Sequence, residues 1–115
     1  MRWREDPTKV RPMLATLADP PLTGAGLLYE PKYDGIRALV HVEPRRGGVD
    51  VRLWSRLGNE KTSQFPAIVR ALQTAGAKWK RPVLLDGEIV ALHPDGRPAG
   101  FQKLQGRIHL TSARD

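Results

Sequence analysis

Apolar and polar residues alternate along several stretches of the chain, the pattern of strands that bury one face. The clearest runs cover residues 36–42 and 49–54, and a longer apolar run covers 83–92. A short apolar run at 27–29 precedes them, and the Asp-Gly pair at 34–35 has the sequence of a tight hairpin turn. We therefore predict a hairpin with arms at 27–29 and 36–42, followed by two further strands.

Helical periodicity is confined to two places. Apolar residues at helical spacing in 65–72 predict a helix, with Thr62 or Ser63 as its N-cap and Gly76 as its end. A weaker pattern at 101–108 predicts a short amphipathic helix. Residues 1–26, rich in proline and polar residues, predict an extended arm. The expected fold class is α+β, a mainly antiparallel sheet with flanking helices.

Composition narrows the possible functions. A chain of 115 residues has room for one domain or part of one. Its net charge of +7 is typical of proteins that bind phosphate-rich ligands or nucleic acid, although many small basic proteins bind neither. The absence of cysteine excludes disulfides, thiolate zinc sites and a thiol nucleophile. No apolar run approaches the roughly 18 residues of a membrane span, so we expect a cytoplasmic protein.

The most unusual chemistry surrounds Lys32. Its place beside the predicted turn indicates a strand-end residue, and Arg37 on the next arm is expected to stand next to it. A lysine must lose its proton to act as a nucleophile, and a neighbouring cation favours this loss by lowering the pKa of the lysine. Lys32 is therefore a candidate nucleophile.

Two carboxylates, Asp86 and Glu88, fall on one face of the run 83–92, and an unpaired buried carboxylate is costly. Either Glu88 pairs with an arginine such as Arg37 or Arg52, or it binds a ribose hydroxyl or a magnesium ion. The residue pattern leaves both possibilities open.

Arg56 follows the predicted strand 49–54. If that strand pairs antiparallel with 36–42, Arg56 lies near Arg37, where the two could surround a phosphate. The alternative is an ordinary surface residue at a strand exit.

Three motifs resemble those of the covalent nucleotidyltransferases, the superfamily of DNA ligases, RNA ligases and mRNA capping enzymes. They are K-x-D-G-x-R at 32–37, S-R-x-G at 55–58 and D-G-E at 86–88. Three further stretches look most like bacterial ATP-dependent DNA ligases, particularly the ligase domains of end-joining repair: RPMLA at 11–15, Glu-Pro at 30–31 and FQKLQ at 101–105. The resemblance runs from about Arg11 to the last residue.

The resemblance implies a mechanism in which Lys32 attacks the α-phosphate of ATP and holds AMP. AMP then passes to the 5′-phosphate of nicked double-stranded DNA, and the 3′-hydroxyl seals the nick during DNA repair or recombination. Glu30 would lie at the adenine pocket, and Arg37 and Arg56 would contact the nucleotide or the nick phosphate. Glu88 would hold the ribose or assist Mg²⁺.

The resemblance also implies a partial domain. Residues 27–115 are expected to be the N-terminal part of an incomplete nucleotidyltransferase (ATP-grasp-like) adenylation domain. Its partners would be the remaining adenylation elements and an oligonucleotide-binding (OB) fold domain. A nucleoid-associated enzyme is expected, and the sequence leaves open whether the isolated chain is active. An RNA ligase or capping guanylyltransferase, and a non-catalytic basic module that binds nucleic acid, remain as alternatives.

Overall fold

An antiparallel sheet forms the centre of the fold. The computed structural model describes residues 6–19 and 23–108, without the side chains of residues 107 and 108. Within these residues the strands are Ile36–Arg45 (β1), Gly48–Ser55 (β2) and Val83–Ile89 (β3), and their order in the sheet is β2-β1-β3. The α+β class and the antiparallel sheet predicted from the alternating pattern are confirmed.

β1 and β2 form the hairpin of this sheet. Arg45 pairs with Gly48, so the turn consists of Arg46 and Gly47 alone. Gly47 adopts a φ of 87°, a left-handed conformation that glycine tolerates best. Both strands therefore continue further toward the turn than the predicted runs 36–42 and 49–54.

The core lies between one face of the sheet and a helix, Pro66–Gly76 (α1). Ala38, Val40, Val42 and Leu53 are buried on the strands, and α1 packs Ile68, Val69 and Leu72 against them. The predicted apolar stripe of this helix is confirmed.

The predicted N-cap of α1 is wrong. Thr62–Gln64 forms a separate 3-10 helix, and Phe65 occupies the cap position without a capping side-chain bond. The Thr62 hydroxyl instead accepts a hydrogen bond of 3.0 Å from the Leu53 amide. Pro66, which has no amide hydrogen to cap, begins the helix.

The hairpin predicted at Asp34-Gly35 is also wrong. Residues 27–34 contain no strand, and the Leu28 side chain is 91% exposed. Both edges of β1 are already taken by β2 and β3, so residues 27–29 have no edge of β1 to pair with. Gly35 forms a bend just before β1 and has no positive φ.

The segment after β3 is less regular than predicted. β3 ends at Ile89, and Leu92 forms only an isolated bridge with Pro98 across a turn. The predicted C-terminal helix is divided into a 3-10 helix at Phe101–Lys103 and a short helix at Gln105–Ile108 (α2). None of the helices in the described ranges is long and apolar enough to cross a membrane.

The opposite face of the sheet holds a buried histidine. His41 is only 7% exposed, and its Nε2 atom has no hydrogen-bond partner among the described residues. Burial lowers the pKa of His41 below its usual 6.5, and the charges of Arg52 and Arg45 lower it further, against the opposing effect of Glu43 and Asp50. The neutral imidazole is therefore the form that this site accommodates.

Acidification is expected to destabilise the fold through His41. Because its folded-state pKa lies below its unfolded-state pKa, the unfolded chain takes up the proton first. Stability should be full above about pH 6.5 and fall as the pH drops below that value. Urea unfolding of the parent between about pH 5 and pH 8 should show this fall.

The same series on His41→Gln should lack this component. His93→Gln, at an exposed turn position, provides the matched control and should keep the pH dependence of the parent. An unchanged slope in His41→Gln would assign the dependence to another group.

Candidate active site

An open cleft of about 720 Å³ lies at the N-terminal end of β1. Its walls come from residues 30–35, from Arg37 on β1 and from residues 86–88 on β3. The register explains this meeting, because Arg37 pairs with Glu88 across the two strands. Glu30, Lys32, Arg37 and Glu88, four of the residues predicted for the site, therefore share one cleft.

Arg37 is held by a carboxylate. Its Nε and Nη2 atoms each donate a hydrogen bond of 2.7 Å to the two oxygens of Asp86, a bidentate pair. This hydrogen bonding lowers the pKa of Asp86 and raises the pKa of Arg37. Arg37 was expected to act on Lys32 as a neighbouring cation, but its ion pair with Asp86 offsets part of that charge.

The predicted alternative in which Glu88 pairs with Arg37 or Arg52 is wrong, because each arginine pairs with another carboxylate. Asp86 takes Arg37, and Arg52 pairs with Glu60 at 2.6 Å. Glu88 instead accepts a hydrogen bond of 3.2 Å from the Gly35 amide through its Oε1 atom. Glu88 thus fastens the segment that carries Lys32 to β3.

Gly35 is required by packing and not by a turn. A Cβ atom at this position would collide with the Ile89 carbonyl oxygen and lie 2.9 Å from the Val90 side chain. Gly35 therefore lets the chain pass close against the end of β3. Asp34 fixes the same segment from the other side, because its Oδ2 atom accepts a 3.2 Å hydrogen bond from the Phe101 amide.

Arg56 belongs to an adjoining cleft. This second cleft, of about 490 Å³, is lined by residues 55–57 and Phe101 and shares Gly35, Arg37 and Glu88 with the first. The antiparallel pairing of β1 and β2 brings Arg56 to this end of the sheet, as predicted, because Ser55 pairs with Ala38.

A contact between the N-terminal arm and the S-R-x-G turn was not predicted from the sequence. The Arg11 guanidinium lies against Gly58, which has a φ of 86°, and Arg11 Nη1 donates to the carbonyls of Thr8 and Val10 at 2.8 and 3.0 Å. Both motifs could be recognised in the sequence, at 11–15 and 55–58. Nothing in either motif indicates that the two segments are in contact in the fold.

The acidic residues that the structure describes do not form a complete metal site. Among the residues that the structure describes, no group of three or more His, Cys, Asp or Glu side chains could hold a metal ion. Magnesium is usually bound through one or two carboxylates together with substrate phosphates. Glu88 has the oxygen chemistry for one such ligand, whereas both oxygens of Asp86 are bonded to Arg37.

Comparison with known proteins assigns a family to this arrangement. Residues 12–114 match the family described as the ATP dependent DNA ligase domain. The chain belongs to this family. The resemblance drawn from its motifs is thereby confirmed, and the cleft is the candidate active site of a ligase domain.

Individual proteins similar to this chain are also named as DNA ligases. A protein named "Probable DNA ligase" from Saccharopolyspora erythraea is 38% identical over 110 residues, which cover 92% of this chain and 20% of the relative. Another from Rhodococcus jostii is 39% identical over 112 residues, covering 92% and 21%. A third from Streptomyces coelicolor is 38% identical over 104 residues, covering 86% and 19%. The ligase-domain chain spans about a fifth of the length of these relatives.

Two of the three motif glycines, Gly35 and Gly87, are expected to differ in the substitutions they tolerate. Gly35→Ala should lower the free energy of unfolding by about 1–3 kcal/mol, because the new methyl group meets the Ile89 backbone. Gly87→Ala is the matched control, since nothing lies within 4 Å of a Cβ there, and should change stability by no more than about 0.5 kcal/mol. Chemical denaturation measures both. Equal losses would show that Gly35 is not closely packed.

Removing the Asp86 charge should produce a small, pH-dependent loss of stability. The folded-state pKa of Asp86 is lowered, so the ion pair contributes above the usual value of 3.8 and is lost as the pH falls through the folded-state pKa. Its side chain is 48% exposed, which limits the effect through solvent screening. Asp86→Asn should unfold more easily than the parent at pH 7, and the two should converge in strong acid. A constant difference across that range would exclude the charge as its source.

Proposed function

We propose that this chain forms the lysine-bearing part of an ATP-dependent DNA ligase. The single observation that carries the proposal is the meeting of the three motifs at one end of the sheet. Residues 32–35, Arg37 and residues 86–88 line one cleft, and residues 55–57 line the cleft next to it. These segments lie far apart in the sequence, so the strand register and not local structure brings them together.

In the proposed reaction the Lys32 amine, once deprotonated, attacks the α-phosphate of ATP. A nitrogen–phosphorus bond forms, the bond to the bridging oxygen breaks, and pyrophosphate leaves. An oxygen of the DNA 5′-phosphate then displaces Lys32 from the AMP. The 3′-hydroxyl attacks that 5′-phosphate, AMP leaves, and the nick is sealed.

The residues around Lys32 suit this chemistry. Arg37 is fixed by two hydrogen bonds, so its guanidinium is preorganised near the place where negative charge on a phosphate would lie. Arg56 provides a second cation in the adjoining cleft. Glu30 lies in the cleft wall two residues before Lys32, where we propose that it contacts the adenine.

Glu88 is the proposed ligand for the ribose or for Mg²⁺. It lies opposite Arg37 in the sheet and faces the same cleft as Lys32. A magnesium ion held there would neutralise charge on the phosphates.

The proposal extends to the longer protein. Since the relatives are about five times as long as this chain, we propose that further adenylation elements and an OB-fold domain complete a nucleotidyltransferase fold around nicked double-stranded DNA. We propose a role in bacterial DNA repair, including end joining, at the nucleoid.

Intact mass spectrometry tests the central step. After incubation with ATP and magnesium, the parent should gain the mass of one AMP, and Lys32→Arg, which keeps the charge but removes the amine, should gain none. GTP is the control for nucleotide choice, because a capping guanylyltransferase would take GMP. An AMP adduct that survives in Lys32→Arg would refute the assignment of the nucleophile.

A further inference from the structure

A cluster of cations lies at the end of the sheet opposite the candidate active site. It consists of Arg45 and Arg46 at the β1–β2 turn and of Lys78, Lys80 and Arg81 between α1 and β3. We call these five residues the basic end. All five are exposed, and none of them lines either cleft of the candidate active site.

Tight packing joins the two loops of the basic end. A Cβ atom at Gly76 would lie 2.7 Å from Val42 and 3.0 Å from Val49, so the end of α1 sits directly on the β1–β2 hairpin. Gln73 Nε2 donates to the Val49 carbonyl at 3.4 Å, and the half-buried Trp79 packs against the core. These contacts therefore hold the cations on both sides of Trp79 close to the hairpin turn.

The basic end is poorly compensated. Arg45 pairs with Glu43 and Asp50, but Arg46 and the three cations after α1 form no ion pair among the described residues. The sequence from 61 to 85 contains no aspartate or glutamate. Surfaces that only need to stay hydrated usually mix both signs of charge, whereas the stretch that carries Lys78, Lys80 and Arg81 has only positive charges.

We propose that the basic end binds the phosphate backbone of duplex DNA at a distance from the nick. The proposal rests on the proposed ligase function, which supplies the duplex. β1 spans ten residues from the active-site end to the basic end, about 30 Å, or about nine base pairs of DNA. A duplex with its nick at Lys32 and one arm running along the sheet reaches the basic end at that distance.

The competing explanation is local. Cations after a helix C-terminus stabilise the helix dipole, which would account for Lys78 and Lys80 without any ligand. It does not account for Arg46, which lies on the hairpin turn, nor for the absence of acidic residues across the whole of 61–85. Only the DNA-contact explanation predicts that the effect of these cations on binding depends on the length of the duplex.

The test is equilibrium binding of the full chain to nicked duplexes by fluorescence anisotropy. One duplex has arms of about 15 base pairs and the other has arms of about six, which cannot span the distance from the nick to the basic end. The variant replaces Lys78, Lys80 and Arg81 by Gln. The matched control replaces Lys9, Lys61 and Arg97 by Gln and lowers the net charge by the same three units.

On the long duplex, the basic-end variant should bind about tenfold more weakly than the control, and its salt-dependence slope should be smaller by about 2 to 3. On the short duplex the two variants should bind alike. Arg46→Gln, in the other loop, should weaken long-duplex binding with a slope reduction of about 1.

Three results would overturn the proposal. They are equal losses in variant and control, a basic-end loss that is the same for both duplex lengths, and no DNA binding by the parent. The adenylation experiment on Lys32 gives an independent readout. A chain that shows the length-dependent loss but gains no AMP would keep the basic end as a DNA contact and show that this chain alone does not carry out the adenylation step.

Discussion

The pairing of β1 with β3 is the constraint on which the rest of the site depends. This register sets Arg37 opposite Glu88 and Ile36 opposite Ile89. It brings the Asp86 carboxylate within 2.7 Å of Arg37 and the Glu88 carboxylate within reach of the Gly35 amide. A shift of one residue would turn every side chain of β3 to the other face, so it would separate Arg37 from Asp86 and Lys32 from Glu88 together. Gly35 and its close contact with Ile89 favour this register over its neighbours.

Local patterns predicted the local elements well. The alternation in β1 and β2 and the helical stripe of α1 arise from burial on one face, which a short window of sequence reveals. The hairpin predicted at Asp34-Gly35 was wrong because an Asp-Gly pair forms a hairpin only where the two flanking segments pair as strands. Here β3, more than 40 residues away, takes the edge of β1 that the prediction gave to 27–29. The residues around Asp34-Gly35 give no information about pairing between distant strands.

The same distinction separates what could be predicted of the site from what could not. The motifs identified Lys32, Arg37, Arg56 and Glu88, and the structure brings them to one end of the sheet. Which carboxylate pairs with Arg37 could not be predicted, because Asp86 and Glu88 are equivalent in the alternating pattern and only the register and side-chain geometry distinguish them. The contact of Arg11 with Gly58 was hidden for the same reason, since nothing in either segment encodes their separation in space.

The position of the charges along β1 connects the fold with its proposed chemistry. At the active-site end a carboxylate accompanies one of the cations: Asp86 fixes the orientation of Arg37 and lowers its effective charge. Such a pair, 34% and 48% exposed, adds little to stability, and its main consequence is a guanidinium held in one orientation. At the opposite end Arg46 and the cations after α1 have no such partners in the described part of the chain. Chemistry on a phosphate requires oriented charge, whereas attraction of a polyanion requires only uncompensated charge. One strand of ten residues thus joins a site arranged for the first requirement to a surface suited to the second.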